Sequence, residues 1–254
     1  MNRRMIDMYD FSSYPFPSKR FVKYAVNGMC ATSHHLAAQA GVDMLKKGGN
    51  AFDAAIAAAA CLPVLEPQAN GLGSDAFAII WHKGKLYGLN SSGYMGKRFS
   101  VEALRQKGFD KMPIYGFGSV TVPGAVGAWA EINKRFGRLP LSEVVEPAAT
   151  YAENGHAITQ NLSDMMTLFS GRLKGALDQA PECAAWFDCF MPEGKVPAPG
   201  EIYRNPDQAK TLREIGATGG ESYYRGDLAD KIAAYSDKFG GWITKEDLEN
   251  FHPE

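Results

Sequence analysis

The chain has 254 residues, 45% hydrophobic and 22% charged, which is enough apolar content to bury a sizeable core and excludes a disordered chain. Lys plus Arg number 27 against 28 Asp plus Glu, so no global basic field draws it to nucleic acid or to an acidic membrane. The expected partners are small molecules or proteins, not nucleic acid and not a membrane.

The four cysteines, Cys30, Cys61, Cys183 and Cys189, form no CxxC pair and no metal-finger spacing, and read as reduced thiols in a cytoplasmic setting. Residues 1–13 carry Arg3 and Arg4 but no long apolar run, so no signal peptide is read there. The most apolar stretch, Ala51–Leu65, is shorter than the roughly 20 residues of a bilayer span and contains Asp53. It is expected to be a buried core helix.

In chain order, residues 1–20 are rich in Ser, Pro and aromatics and read as an extended arm. Residues 24–32 suggest a strand, with Ser33 as the N-cap of a helix over 34–47 that ends at Gly48-Gly49. Asn50 caps the next helix, whose alanine run is apolar on every side and therefore central. After the glycine-bearing loop 68–74, residues 75–82 and 85–90 flank Lys83-Gly84 and predict a β-hairpin.

Beyond Gly96 the spacing predicts helices over 101–107, 125–136 and 141–154, the last kinked by Pro147 unless that residue falls in the first turn. Residues 160–190 carry helical spacing through Met165, Leu168, Phe169, Leu173 and Leu177. A loop over 192–199 and helices over 206–215 and 228–239 follow. The domain reading is a sheet with core helices over 21–98 and a mainly helical lobe over 99–254.

Few familiar catalytic patterns are present. The Gly71-Leu72-Gly73-Ser74 loop precedes a strand and lacks the helix that a dinucleotide cradle requires, and no GxxxxGK[ST] or GxSxG occurs. His34 and His35 are sequence neighbours, which on a helix diverge by about 100° and cannot share a metal ion. No metal and no cofactor is expected. His82, His156 and His252 have no carboxylate or cysteine arrangement beside them in the sequence, and Ser33 is explained by capping. The run Asn90-Ser91-Ser92-Gly93-Tyr94 at a strand end is either a plain turn or the floor of a substrate pocket, where hydroxyls and an amide hold a small polar ligand.

Several segments together resemble one family, the γ-glutamyltranspeptidases among the N-terminal-nucleophile hydrolases. They are residues 28–38 (GMCATSHHLAA), 45–57 (LKKGGNAFDAAIA), Glu66-Pro67 and the 71–77 loop (GLGSDAF). Val122-Pro123-Gly124-Ala125-Val126, Phe136-Gly137-Arg138-Leu139-Pro140, Glu146-Pro147-Ala148, Ala152-Glu153-Asn154-Gly155 and 240–248 (GGWITKEDL) follow in the same order. The likeness spans about residues 20–254, and its strength lies in the ordered set.

The resemblance implies an α+β fold, an αββα sandwich to which this chain gives part of the sheets plus a helical lobe. It also implies a precursor that cuts itself in two, with this chain as the large-subunit portion. The nucleophile is then the N-terminal Thr of the small subunit, whose own α-amino group is the general base, so no catalytic residue is expected in this chain. The implied partners are that small subunit and a small-molecule amide, with a dimer of heterodimers left open.

Glutamyl-transferring members carry an Arg after the second hairpin strand that grips the donor's α-carboxylate through paired hydrogen bonds. Here that place falls on Ser92 or, with a small shift, on Tyr94. Neutral donors in place of the guanidinium should cost about 1.5–3 kcal/mol of glutamate recognition. The reading is an amidohydrolase acting on a small or non-glutamyl amide such as oxamate, with Asn90, Ser91, Ser92 and Tyr94 lining the donor pocket. One alternative is ordinary glutathione hydrolysis with Lys97 or Arg98 holding the carboxylate. Another is a non-catalytic scaffold that kept the fold.

Overall fold

The computed structural model describes residues 22–254. The extended arm expected over 1–20 lies outside the described residues.

The hairpin forms where the sequence places it. β1 (Ala76–His82) and β2 (Lys85–Ser91) pair antiparallel with Ala76 opposite Ser91 and His82 opposite Lys85. Lys83 and Gly84 both take positive φ, the geometry that matches a two-residue turn to the twist of its strands. Alternation puts Phe77, Ile79 and Trp81 on one face with Leu86, directly opposite Trp81; Phe77, Ile79 and Trp81 are 68%, 88% and 64% exposed. The other face carries Ile80 and Leu89 into the body.

The helices form one main apolar core. α1 (His35–Lys46) and α4 (Ala125–Phe136) lie against α2 (Ala51–Leu65), which also packs on α5 (Leu141–Asn154). α5 in turn packs along α8 (Pro206–Thr218). Ile56, Val64 and Leu65 of α2 are fully or almost fully buried, and each such side chain contributes about 1.5–3 kcal/mol. Small Ala57 and Ala60 let the neighbouring helices close on α2. Asn50 and Asp53 complete a reciprocal capping box at its start. Asp53, wholly buried, also accepts the Arg138 backbone N–H at 3.1 and 3.2 Å, tying α2 to the end of α4.

The remaining elements are α3 (Val101–Gln106), β3 (His156–Ala157), α6 (Gln160–Lys174), α7 (Ala184–Phe190), β4 (Ile202–Tyr203), α9 (Glu221–Arg225), α10 (Asp227–Lys238) and α11 (Lys245–Glu249). A satellite core of Ile158, Leu162, Met166 and Tyr203 sits under Trp186, Phe190 and Val196.

Several expectations are corrected. Residues 24–32 form no strand: the chain bends at Val26 and Asn27, Gly28 takes a φ of +121°, and no described strand lies beside them to take their hydrogen bonds; Val26 is 99% exposed. His34, not Ser33, caps α1, its Nδ1 accepting the Leu36 N–H at 3.2 Å, while Ser33 donates to Glu66 at 2.7 Å. The helical spacing over 160–190 resolves into two helices, α6 ending at Gly175 and a 3₁₀ turn at Pro181–Cys183 leading into α7. Its buried stripe runs through Leu162, Met166 and Leu173, while Met165 and Leu168 face solvent. Pro147 lies inside α5, well beyond its first turn.

The His34 and His35 rings do not diverge. The cap residue has extended backbone, φ −114° and ψ 130°, so its ring stacks on that of His35 with centroids 4.7 Å apart. The buried His156 ring meets His34 edge-on at 6.5 Å, a neighbour that sequence distance conceals. Burial, then the charges of His35 and His156, push His34 down to about 4. Among the described residues no group of three or more His, Cys, Asp or Glu side chains has metal-holding geometry.

Candidate functional site

Three loops meet at the end of β2. Ser91, buried, donates its hydroxyl to the Gly124 carbonyl at 2.6 Å. Thr121 donates to the Ser92 carbonyl at 3.0 Å, and the Val122 N–H to the Tyr94 carbonyl at 2.9 Å. From the glycine loop, the Ser74 carbonyl accepts the N–H groups of Gly124 and Ala125 at 3.0 and 2.8 Å, at the start of α4. Ser74 Oγ accepts the Gly71 N–H at 2.9 Å, closing that loop as a tight turn. The Leu72 carbonyl is held by the buried Tyr223 hydroxyl at 2.8 Å.

The fourth wall comes from the end of the described chain. Tyr94 donates its hydroxyl to the Asp247 carbonyl at 2.6 Å, and the Lys97 N–H donates to Asp247 Oδ1 at 3.0 Å. The Tyr94 hydroxyl is raised above its ordinary pKa by burial first and by the Asp247 carboxylate second. Asn90 and Glu254 exchange both backbone hydrogen bonds, at 2.7 and 2.8 Å, which holds Glu254 against the end of β2.

The four residues singled out from the sequence therefore share one loop but differ in what their polar atoms do. The Ser91 hydroxyl is committed to Gly124 and the Tyr94 hydroxyl to Asp247. Asn90 is exposed, its Oδ1 accepting the Ser92 N–H at 3.0 Å. The Ser92 hydroxyl has only a 3.5 Å approach to the neighbouring Gly93 carbonyl, the edge of hydrogen-bond range. Asn90 and Ser92 are thus the members with polar groups to offer a ligand.

Lys97 and Arg98 are engaged elsewhere. Lys97 Nζ pairs with Glu246 and Arg98 Nη1 with Asp237, and the Glu246 hydrogen bond raises Lys97 above its ordinary pKa. Sequence reasoning missed Asp247, although Thr244-x-x-Asp247 has the spacing of a capping box. It also missed Glu66, which gathers Ser33 and, at 3.5 Å, Asn70.

Residues 37–254 match the family model described as gamma-glutamyltranspeptidase, and the chain belongs to that family. The crystal structure of cephalosporin acylase from Bacillus halodurans superposes with a TM-score of 0.86 at 51% identity, over 97% of this chain and 46% of that one. The glutathione hydrolase-like YwrD proenzyme of Bacillus subtilis (strain 168) is 38% identical over 87% of this chain and 41% of its own length. The oxamate amidohydrolase proenzyme of Klebsiella pneumoniae is 32% identical over 89% of this chain and 42% of its own. The chain spans about two fifths of the length of these curated relatives. Its fold is the α+β class of the N-terminal-nucleophile hydrolases, as the resemblance implies.

Proposed function

We propose that this chain is the donor-binding portion of an amide hydrolase made by a self-cutting precursor, acting on a small or non-glutamyl amide such as oxamate. The attacking group is the N-terminal Thr of a second polypeptide cut from the same precursor. Its α-amine, with a pKa near 8, takes the hydroxyl proton as the Thr oxygen bonds to the amide carbonyl, and returns it to the departing amine. Water then hydrolyses the acyl ester.

The observation that carries the substrate reading is the state of Ser92 and its neighbours. The arginine's place falls on Ser92, a neutral hydroxyl with no firm partner, or with a small shift on Tyr94, whose hydroxyl is bonded to Asp247, while Lys97 and Arg98 are paired with Glu246 and Asp237. A glutamyl α-carboxylate brought here would meet no free guanidinium, which speaks against the glutathione-hydrolase alternative, and the carboxylate of oxamate would have to be held by neutral donors such as the Ser92 hydroxyl and the Asn90 amide. The relatives named for oxamate and for cephalosporins support a non-glutamyl donor, and the relatives named for glutathione hydrolysis support the alternative.

The exposed face of Phe77, Ile79, Trp81 and Leu86 supports the second polypeptide, since soluble proteins rarely leave a contiguous apolar sheet face in water. Four free cysteines support the cytoplasm as the compartment, which cell fractionation tests.

Ser92→Ala in the full-length protein tests the donor pocket. A fall in kcat/KM for ammonia release from oxamate is expected, and an unchanged value removes Ser92 from the pocket.

A further inference from the structure

Asp247 does more than its place in a five-residue helix requires. It is wholly buried, and the α11 cap uses only one of its carboxylate oxygens. Oδ2 accepts the Thr244 N–H at 2.9 Å and the Thr244 hydroxyl at 2.7 Å, which completes the cap with the return bond from the Asp247 N–H to Thr244 Oγ1. Oδ1 reaches across 150 residues to the Lys97 N–H, and the Asp247 carbonyl takes the Tyr94 hydroxyl.

One residue thus grips the 90–97 loop at two points three residues apart. Between them, Gly96 is pressed against Trp242, where an added Cβ would lie 2.2 Å from the Trp242 carbonyl oxygen. The opposite side of the loop is fastened to residues 121–124. Ser92, its carbonyl held by Thr121 and its hydroxyl without a firm partner, lies two residues before Tyr94, where the two anchorages meet.

We propose that Asp247 is a positioning residue: its second carboxylate oxygen and its carbonyl fix where the donor loop stands, and with it the place of Ser92. The inference rests on the donor-pocket reading for its effect on substrate, but not for its effect on the loop. A carboxylate accepting a backbone N–H makes one of the stronger hydrogen bonds available to a protein. An amide cannot replace it, because whichever way Asn is turned its NH2 faces one of the two backbone donors.

The test compares the full-length processed protein with its Asp247→Asn and Thr244→Ala variants, by hydrogen exchange over residues 90–97 and by KM and kcat for oxamate. Thr244→Ala weakens the α11 cap while leaving the Lys97 bond to Asp247. Asp247→Asn is expected to speed exchange at 94–97 about tenfold, the equivalent of about 1.4 kcal/mol, and to raise KM with kcat little changed. Thr244→Ala is expected to leave 90–97 near the parent.

Equal exchange at 90–97 in the two variants, or none above the parent in Asp247→Asn, overturns the proposal. Faster exchange with an unaltered KM supports the positioning of the loop and removes the loop from the donor site. Should Asp247→Asn not fold, Tyr94→Phe decides through exchange alone. Faster exchange at 94–97 supports the anchorage, and no change overturns it.

Discussion

The Ser91 carbonyl oxygen lies only 1.8 Å from where a Cβ on Gly124 would sit, and the Ser91 hydroxyl donates to the Gly124 carbonyl. The strand end and the start of α4 approach so closely that no side chain fits between them.

Gly124→Ala should therefore force the two backbones apart, with an overpacking cost of about 1–3 kcal/mol or more. Gly73→Ala, where nothing lies within 4 Å of the added Cβ, should be far milder. Urea midpoints of the two variants check this, and equal losses would show that the contact yields without strain.

Asp53 fastens a second junction in the manner of Asp247. Its carboxylate accepts the Asn50 N–H at 2.9 Å and the Arg138 N–H from the far end of α4. Asp53→Ala removes the partners of both donors in a buried site and should cost about 2–4 kcal/mol in urea denaturation. A loss below 1 kcal/mol, on the order of an exposed cap alone, would contradict the junction.

The buried imidazoles give stability a pH dependence. His34 sits at about 4 when folded, against 6.5 when free, and His156 is also lowered by burial. The unfolded chain thus binds more protons between pH 6.5 and about 4, so this contribution is full above 6.5 and is lost as pH falls through that window. His34→Asn keeps a side-chain cap and cannot titrate. Urea midpoints at pH 7 and pH 5 should fall further in the parent than in His34→Asn, and equal falls would clear His34 of the effect.

Much of this was legible in the sequence, and for identifiable reasons. The Lys83-Gly84 turn and the alternation around it fixed the hairpin, and the Ala54–Ala60 region could only be central because no face of it is polar. What sequence could not show is long-range. Ser33 and Asp247 both satisfy local capping patterns, yet Ser33 turns to Glu66 while His34 takes the cap, and Asp247 caps α11 and also holds Lys97. Nor does local reading tell that Ser91 is buried and committed while Ser92 beside it is free. The 24–32 segment reads as a strand by composition, but composition carries no information about whether a partner edge lies next to it.

Restoring a cation at the donor loop should shift specificity. Ser92→Arg in the full-length protein is expected to improve kcat/KM for a γ-glutamyl anilide by about tenfold or more over the parent, as one charge-assisted carboxylate contact implies. No change in that value would show that the position does not read the donor's carboxylate.

The direct measurement is intact mass together with N-terminal sequencing of the folded full-length gene product. Two fragments, the smaller beginning with Thr, are the expected result. A single uncut chain that still hydrolyses an amide would contradict a reacting hydroxyl supplied by self-cutting.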